Sequence, residues 1–322
     1  MVMAKSTQSP SNSQNIELQA RDLEILKGLF ESRLATLAQL AELHFDGKKE
    51  AAQNRVKKLK DAGFLKERPR ANVGAPSIVH LSRRGFDTLT ERGLLARYPR
   101  FIWSNLEDRA KVSPITLKHE LNVMNIKATF ARELRGWDDL ALGDFCTWPM
   151  LYEFKAKTHD QDPEPIKIKP DGFFSLRMPA AQHLFFLEVD RGSETLDTVV
   201  RKCFGYHEFF RTGGMARRFG KSDPKDVPFR VIVSVESEAR RNNVAEALLR
   251  MRNPLLRLVW ITTRAQIEAD PFAPIYLTPL AYRHAVEGSA HEIERVRPEE
   301  LKQARKTRDG LVSVKAVLQV LF

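Results

Sequence analysis

Ile168-Lys-Pro170-Asp171-Gly-Phe-Phe-Ser-Leu176, followed by His183-Leu-Phe-Phe-Leu-Glu188-Val-Asp190-Arg-Gly192, decides how the chain is read. Both runs are short, apolar and rich in Phe, Leu and Val. Arg177-Met-Pro179 closes the first and Arg191-Gly192 the second, so each predicts a strand. Side chains alternate faces along a strand, which puts Glu188 and Asp190 on the same face. If the two runs pair as a hairpin, Asp171 joins them at one sheet edge. Three carboxylates there would make a hard-oxygen set of the kind that holds Mg²⁺ or Mn²⁺. Acidic residues also collect at strand ends simply because water solvates them, and that reading stands beside the metal-site one.

Outward from this stretch, Ser193 reads as the cap of a helix from Glu194 to about Arg211, ended by Gly213-Gly214. Glu194, Lys202 and Tyr206 fall near one face of it. Lys202 lies two to three turns into such a helix, which leaves its reach to the acids open, and Lys169 is a second source of an ammonium. Upstream, Pro114 to Leu134 predicts an amphipathic helix carrying His119 and Glu120, and Phe145 to Phe154 a strand. Downstream, Phe229 to Val235 and Leu256 to Thr262 predict strands on either side of a helix from Glu238 to Met251. The order is that of an α/β domain with a mixed sheet.

The chain before residue 100 is organised differently. Apolar periodicity predicts helices over Leu18–Glu31, Leu37–His44 (capped by Thr36) and Lys49–Asp61, the last stopped by Gly63. Phe64-Leu65-Lys-Glu-Arg and Ser77–Leu81 read as strands joined by the loop Pro69–Pro76, and a fourth helix ends near Gly93. Residues 48–70 hold nine basic and three acidic side chains. A helix rich in Gln, Asn, Arg and Lys can offer amides and cations to base edges in a major groove. Gln53, Asn54 and Arg55 are the base-edge candidates; Lys57, Lys58, Arg68 and Arg70 are the phosphate candidates. A solvated helix in a protein-binding module would show the same pattern.

Bulk properties fit this division. The 322 residues are 43% hydrophobic and 29% charged, with a formal net charge of +11 and a pI near 9.7, which favours a polyanionic partner. Residues 1–100 carry 18 Lys/Arg against 11 Asp/Glu, most of the excess. No apolar run is long enough to span a bilayer. Cys146 and Cys203 stand far apart without metal-ligand spacing, so a reducing, cytoplasmic setting is expected. The expected domains are a disordered leader (1–16), a DNA-binding domain (17–98), a linker with aromatic anchors (99–113), an α/β domain (114–278) and a charged helical extension (279–322) whose apolar end docks back.

Three resemblances follow from these residues. Residues 18–95, with the phrase Leu59-Lys-Asp-Ala-Gly63-Phe-Leu65, resemble a winged helix-turn-helix domain, which implies binding to double-stranded DNA. The order around Pro170-Asp171 and Glu188-Val189-Asp190 resembles the PD-(D/E)XK nuclease superfamily. That resemblance implies Asp171, Glu188 and Asp190 as metal ligands and catalytic acids, Glu120 as a further acid, and a lysine that orients water. Asp190 stands where that lysine would be, and Lys202 in the next helix is the replacement expected from superfamily members that move it. Residues 20–265 also resemble the replication-relaxation family of plasmid and mobile-element proteins, through His119-Glu120, Pro170-Asp171, Glu188-Val-Asp190-Arg191-Gly192-Ser-Glu194 and Lys202-Cys-Phe-Gly-Tyr206. Together they imply a DNA-binding protein acting in replication, relaxation or mobilisation, nicking DNA with Mg²⁺ or Mn²⁺, alongside replication or mobilisation proteins or as a homodimer. The alternative is a non-catalytic regulator whose nuclease-like domain serves dimerisation or partner binding; RNA processing ranks third.

Overall fold

The computed structural model describes residues 16–108, 110–157, 164–179, 181–192, 194–251, 257–287 and 312–313. The expectations for residues 1–15 of the leader, for Ser193 as a cap and for the apolar end of the chain lie outside the described residues. The chain divides into two units, Met1–Lys111 and Val112–Phe322. Among the described residues no helix is long and apolar enough to cross a membrane.

The first unit runs α1 (Ala20–Ser32), β1 (Leu34–Thr36), α2 (Leu37–His44), α3 (Lys49–Asp61), β2 (Leu65–Glu67), β3 (Ile78–Leu81) and α4 (Arg83–Glu91). Thr36 caps α2 by accepting from the Gln39 N–H at 3.2 Å, and the Gln39 side chain accepts the Thr36 N–H in return at 2.9 Å. Gly63, at φ +78°, ends α3 as expected. The Phe64 N–H reaches Leu59 O at 2.9 Å and the Gly63 N–H reaches Lys60 O at 2.8 Å, so two carbonyls at the helix end are satisfied. Strand β1, not anticipated, pairs antiparallel with β3, which pairs with β2, giving a three-stranded sheet. The segment expected as a linker packs on this unit: Phe101 and Leu106 are buried, with the Phe101 ring 6.2 Å from Phe30.

The second unit opens with α5 (Pro114–Glu133) and builds on β4 (Ala141–Cys146), β5 (Phe154–Ala156), β6 (Ile166–Ile168), β7 (Gly172–Met178) and β8 (Ala181–Val189). It continues through α6 (Leu196–Arg211), α7 (Gly214–Arg218), β9 (Phe229–Val235), α8 (Glu238–Leu249), β10 (Val259–Thr263), α9 (Arg264–Ala269), β11 (Pro274–Tyr276), α10 (Pro279–Glu287) and β12 (Val312–Ser313). Five strands form a mixed sheet in the order β10-β9-β8-β7-β4, parallel across β8, β9 and β10 and antiparallel across β8, β7 and β4. Helices α6 and α8 cover one face through Val199, Cys203, Tyr206, Val244 and Leu248. Helices α5 and α9 cover the other through Val123, Ile126, Phe130 and Ile267. Central β8 is buried on both faces from Leu184 to Val189, which is why its sequence is an unbroken apolar run rather than an alternating one.

Three boundaries differ from expectation. Phe145 to Phe154 is not one strand: β4 ends at Cys146, a 3-10 turn spans Pro149–Leu151, and β5 then starts a separate hairpin with β6. Ile168 and Leu176 belong to different strands, because Lys169-Pro170-Asp171 breaks the run and Pro170 has no N–H to continue a ladder. Helix α6 begins at Leu196, where Thr195 accepts the Thr198 N–H at 3.2 Å, so Thr195 is the cap.

Candidate functional site

The β7–β8 register fixes the acids. Gly172 stands opposite Leu187, so one residue further out Asp171 faces Glu188 at the end of β8. Asp171 Oδ2 accepts the Val189 N–H at 2.7 Å, which ties the residue before β7 to the last residue of β8. Glu188 continues the face of Leu184 and Phe186 and points at α6. There Tyr206 donates its hydroxyl proton to Glu188 Oε1, and the Lys202 ammonium lies 3.2 Å from Oε2. Since α6 begins at Leu196, Lys202 sits less than two turns in and does reach the acid. A second bond at 2.7 Å to Glu194 Oε1 holds the same ammonium.

His119 of α5 approaches Asp171, Nε2 to Oδ1 at 2.9 Å. An ionised carboxylate only accepts, so Nε2 is the protonated ring nitrogen. Glu120 is buried beside it at 6% exposure, close enough for its charge to act on His119. Asp190 is drawn aside. Its Oδ1 accepts the Gly192 N–H at 2.8 Å and its Oδ2 accepts Arg240 Nε–H of α8 at 2.8 Å. Lys169 is exposed, and nothing places it as the ammonium beside Glu188.

Burial pushes the Glu188 carboxyl up to about 7; Asp171 pushes the same way, while Lys202 and the Tyr206 hydroxyl pull against it. Burial also works against the Lys202 ammonium, but Glu188, Asp171 and Glu194 outweigh it and hold its pKa above that of an ordinary lysine. For His119 burial favours the neutral ring, yet Asp171, backed by Glu120 and Glu188, raises its pKa. Cys203, next to Lys202, is buried and its thiol is pushed far up, so it stays protonated.

The donor set decides what metal could fit. Among the described residues no three His, Cys, Asp or Glu side chains gather so as to hold a metal ion, and the three-acid set expected from sequence is not assembled, because Asp190 is bonded to Arg240. Asp171 and Glu188 remain as two carboxylates side by side, each oxygen accepting one hydrogen bond and keeping a second lone pair. Mg²⁺ is commonly held by one or two carboxylates with water and substrate phosphate, and these two residues suit that arrangement.

The sequence profile of the replication-relaxation family matches residues 26–223, more than half of the chain. The chain belongs to this family. No curated protein and no solved structure matches it. The span that makes it a replication-relaxation protein covers α3, the acids Asp171, Glu188 and Asp190, and Lys202 and Tyr206. It ends before β9, so Arg240 lies outside it.

The basic helix of this replication-relaxation protein sorts its side chains clearly. Gln53, Asn54, Lys57 and Lys58 are exposed on one side of α3, opposite buried Ala52, Val56 and Leu59. Arg55 is not on that surface. Its guanidinium grips both carboxylate oxygens of Asp22, which is fully buried at the start of α1, and donates to Glu17 O at 3.0 Å. Arg68 is likewise turned inward, to Ala110 O at 2.7 Å. Arg70 is exposed but pairs with Glu67 at 3.1 Å. Arg55, expected at base edges, and Arg68, expected at a phosphate, are thus both bonded to intramolecular partners distant in sequence.

Proposed function

We propose that this protein binds duplex DNA through α3 and the β2–β3 loop, in the manner of a winged helix, and nicks plasmid or mobile-element DNA at the Asp171–Glu188–Lys202 site with Mg²⁺ or Mn²⁺. One observation carries the catalytic part: the Lys202 ammonium stands 3.2 Å from Glu188, beside Asp171, where a lysine at position 190 is missing. This supports reading the site as PD-(D/E)XK-like with its lysine supplied from the following helix. A bound divalent ion would polarise the scissile phosphate and acidify a bound water. Asp171 and Glu188 would hold that ion, Tyr206 fixes the Glu188 carboxylate, and Lys202 offers positive charge where negative charge develops. Gln53 and Asn54 would face base edges, and Lys57 and Lys58 the phosphates.

The test is supercoiled plasmid incubated with the pure protein and Mg²⁺ or Mn²⁺, beside Glu188→Ala and Lys202→Met. Open circles from the parent are expected, with a loss of roughly 10²-fold or more in each variant, the scale of removing a preorganised charge. A second reading has its own support. Lys202 is shared by two carboxylates and Asp190 is paired with Arg240, an arrangement that also serves as a structural network in a non-catalytic regulator whose second unit binds a partner or a second copy. Plasmid retarded at low salt but never nicked by the parent would select that reading.

A further inference from the structure

Arg240 is reached by no sequence motif and lies beyond the span matched by the family, yet it touches the loop that delivers the lysine. Strands β8 and β9 are parallel, so their C-terminal ends emerge at the same edge of the sheet. The Asp190 N–H bonds Ser234 O at 2.9 Å, extending that pairing one residue past β8. Helix α8 starts at this edge, capped by Ser237, whose hydroxyl accepts the Arg240 N–H at 3.2 Å. Arg240 therefore sits in the first turn of α8, over the loop that leads from β8 into α6.

Its guanidinium reaches two acceptors. Nε–H donates to Asp190 Oδ2 at 2.8 Å and Nη2–H donates to Glu194 O at 2.8 Å. The Asp190 side chain is 2% exposed, and Arg240 is the cation bonded to it. Asp190 Oδ1 in turn holds the Gly192 N–H, and Gly192 makes the turn at φ +76°. Asp190 and Glu194 are thus both held by one side chain. The Glu194 carboxylate then takes the Lys202 ammonium at 2.7 Å, while Lys202 faces Glu188 at 3.2 Å.

We infer that Arg240 is a positioning residue: by clamping Asp190 and the Glu194 carbonyl it sets Glu194 so that Glu194 aims the Lys202 ammonium at Glu188. Asp190 accordingly belongs to the clamp and not to the metal ligands. Arg240 matters to catalysis only if Lys202 is the working cation, as proposed above, but the aiming of Lys202 can be measured without any nicking.

The experiment compares parent, Arg240→Gln, Arg240→Lys and Glu194→Gln in the full-length protein. Lys202 is acylated with a limiting amine-reactive ester, its labelling rate is read by peptide mass spectrometry, and nicking is followed in parallel. Arg240→Lys keeps a cation for Asp190 but cannot span to the Glu194 carbonyl as the planar fork does, so it guards against a folding defect. Lys202 labelling is expected to rise about tenfold in Arg240→Gln and Glu194→Gln, the scale of losing one charge-assisted hydrogen bond, and by less in Arg240→Lys. Nicking should fall in kcat with KM unchanged, following the same order. Labelling that rises in Glu194→Gln but stays at the parent rate in both Arg240 variants overturns the clamp. Faster labelling in the Arg240 variants with kcat untouched keeps the clamp and overturns Lys202 as the working cation. A parent that never nicks defeats the function proposed above, while the labelling series still decides whether Arg240 aims Lys202.

Discussion

Arg55 and Lys57 stand two residues apart on one helix in opposite surroundings. Arg55 neutralises Asp22, a carboxylate with no solvent exposure, and so joins α3 to the start of α1. Removing Arg55 strands a carboxylate with no solvent exposure, so Arg55→Ala is expected to cost about 3 kcal/mol. Lys57→Ala and Lys58→Ala should leave thermal melting unchanged and each reduce the salt slope of DNA binding by about one. Melting curves and retardation assays at several salt concentrations check both parts; an Arg55→Ala protein as stable as the parent but weaker on DNA would return Arg55 to the DNA surface. Helical spacing put Arg55 among the contact residues because spacing describes one helix, whereas its partner is 33 residues earlier. The same reason hid Arg240, 50 residues from Asp190. Glu188, Lys202 and Tyr206, by contrast, could be chosen from sequence, since one strand and the helix after it bring them together.

Most of the helices and long strands were readable because each carries its own period or cap: α3 and β9 match their sequence-derived limits residue for residue. What escaped are elements too short for a period. Strand β1 has three residues between two helices and exists only through its pairing with β3. Strands β5 and β6 are a three-residue hairpin that an apolar-run reading merges into longer neighbours. The root of the β2–β3 loop shows how such short pieces are held. Glu67 of β2 accepts from Lys60 of α3, from the Ser77 hydroxyl at 2.7 Å and from Arg70 at 3.1 Å. The Lys60 bond, with Ser77, lowers the Glu67 pKa to about 2. A carboxyl with a depressed folded pKa stabilises the protein above its unfolded value and loses that contribution as pH falls through the folded one. Glu67→Gln is therefore expected to cost about 1–2 kcal/mol at neutral pH, with the gap to the parent closing between pH ~4.5 and ~2. Urea unfolding across that range measures it; a gap that stays constant with pH would mean the Glu67 charge does not hold the loop.

The two units differ in side-chain chemistry: basic residues are exposed on α3 in one, and an acid-and-lysine network sits at the β8 end in the other. Residues 1–111 produced alone are expected to melt cooperatively and to retard duplex DNA with the salt slope of the whole chain, within about one phosphate contact. A folded fragment that leaves DNA unretarded would move the DNA surface to the second unit. The bonded network in that unit has a consequence for charge. Asp171, Glu188, Asp190 and Glu194 are four carboxylates met by two permanent cations, Lys202 and Arg240, and counting buried Glu120 with a protonated His119 leaves the balance the same. A chain with a formal net charge of +11 thus holds, with these acids ionised, a local cluster of side chains with two negative charges in excess. That deficit equals the charge of one divalent cation.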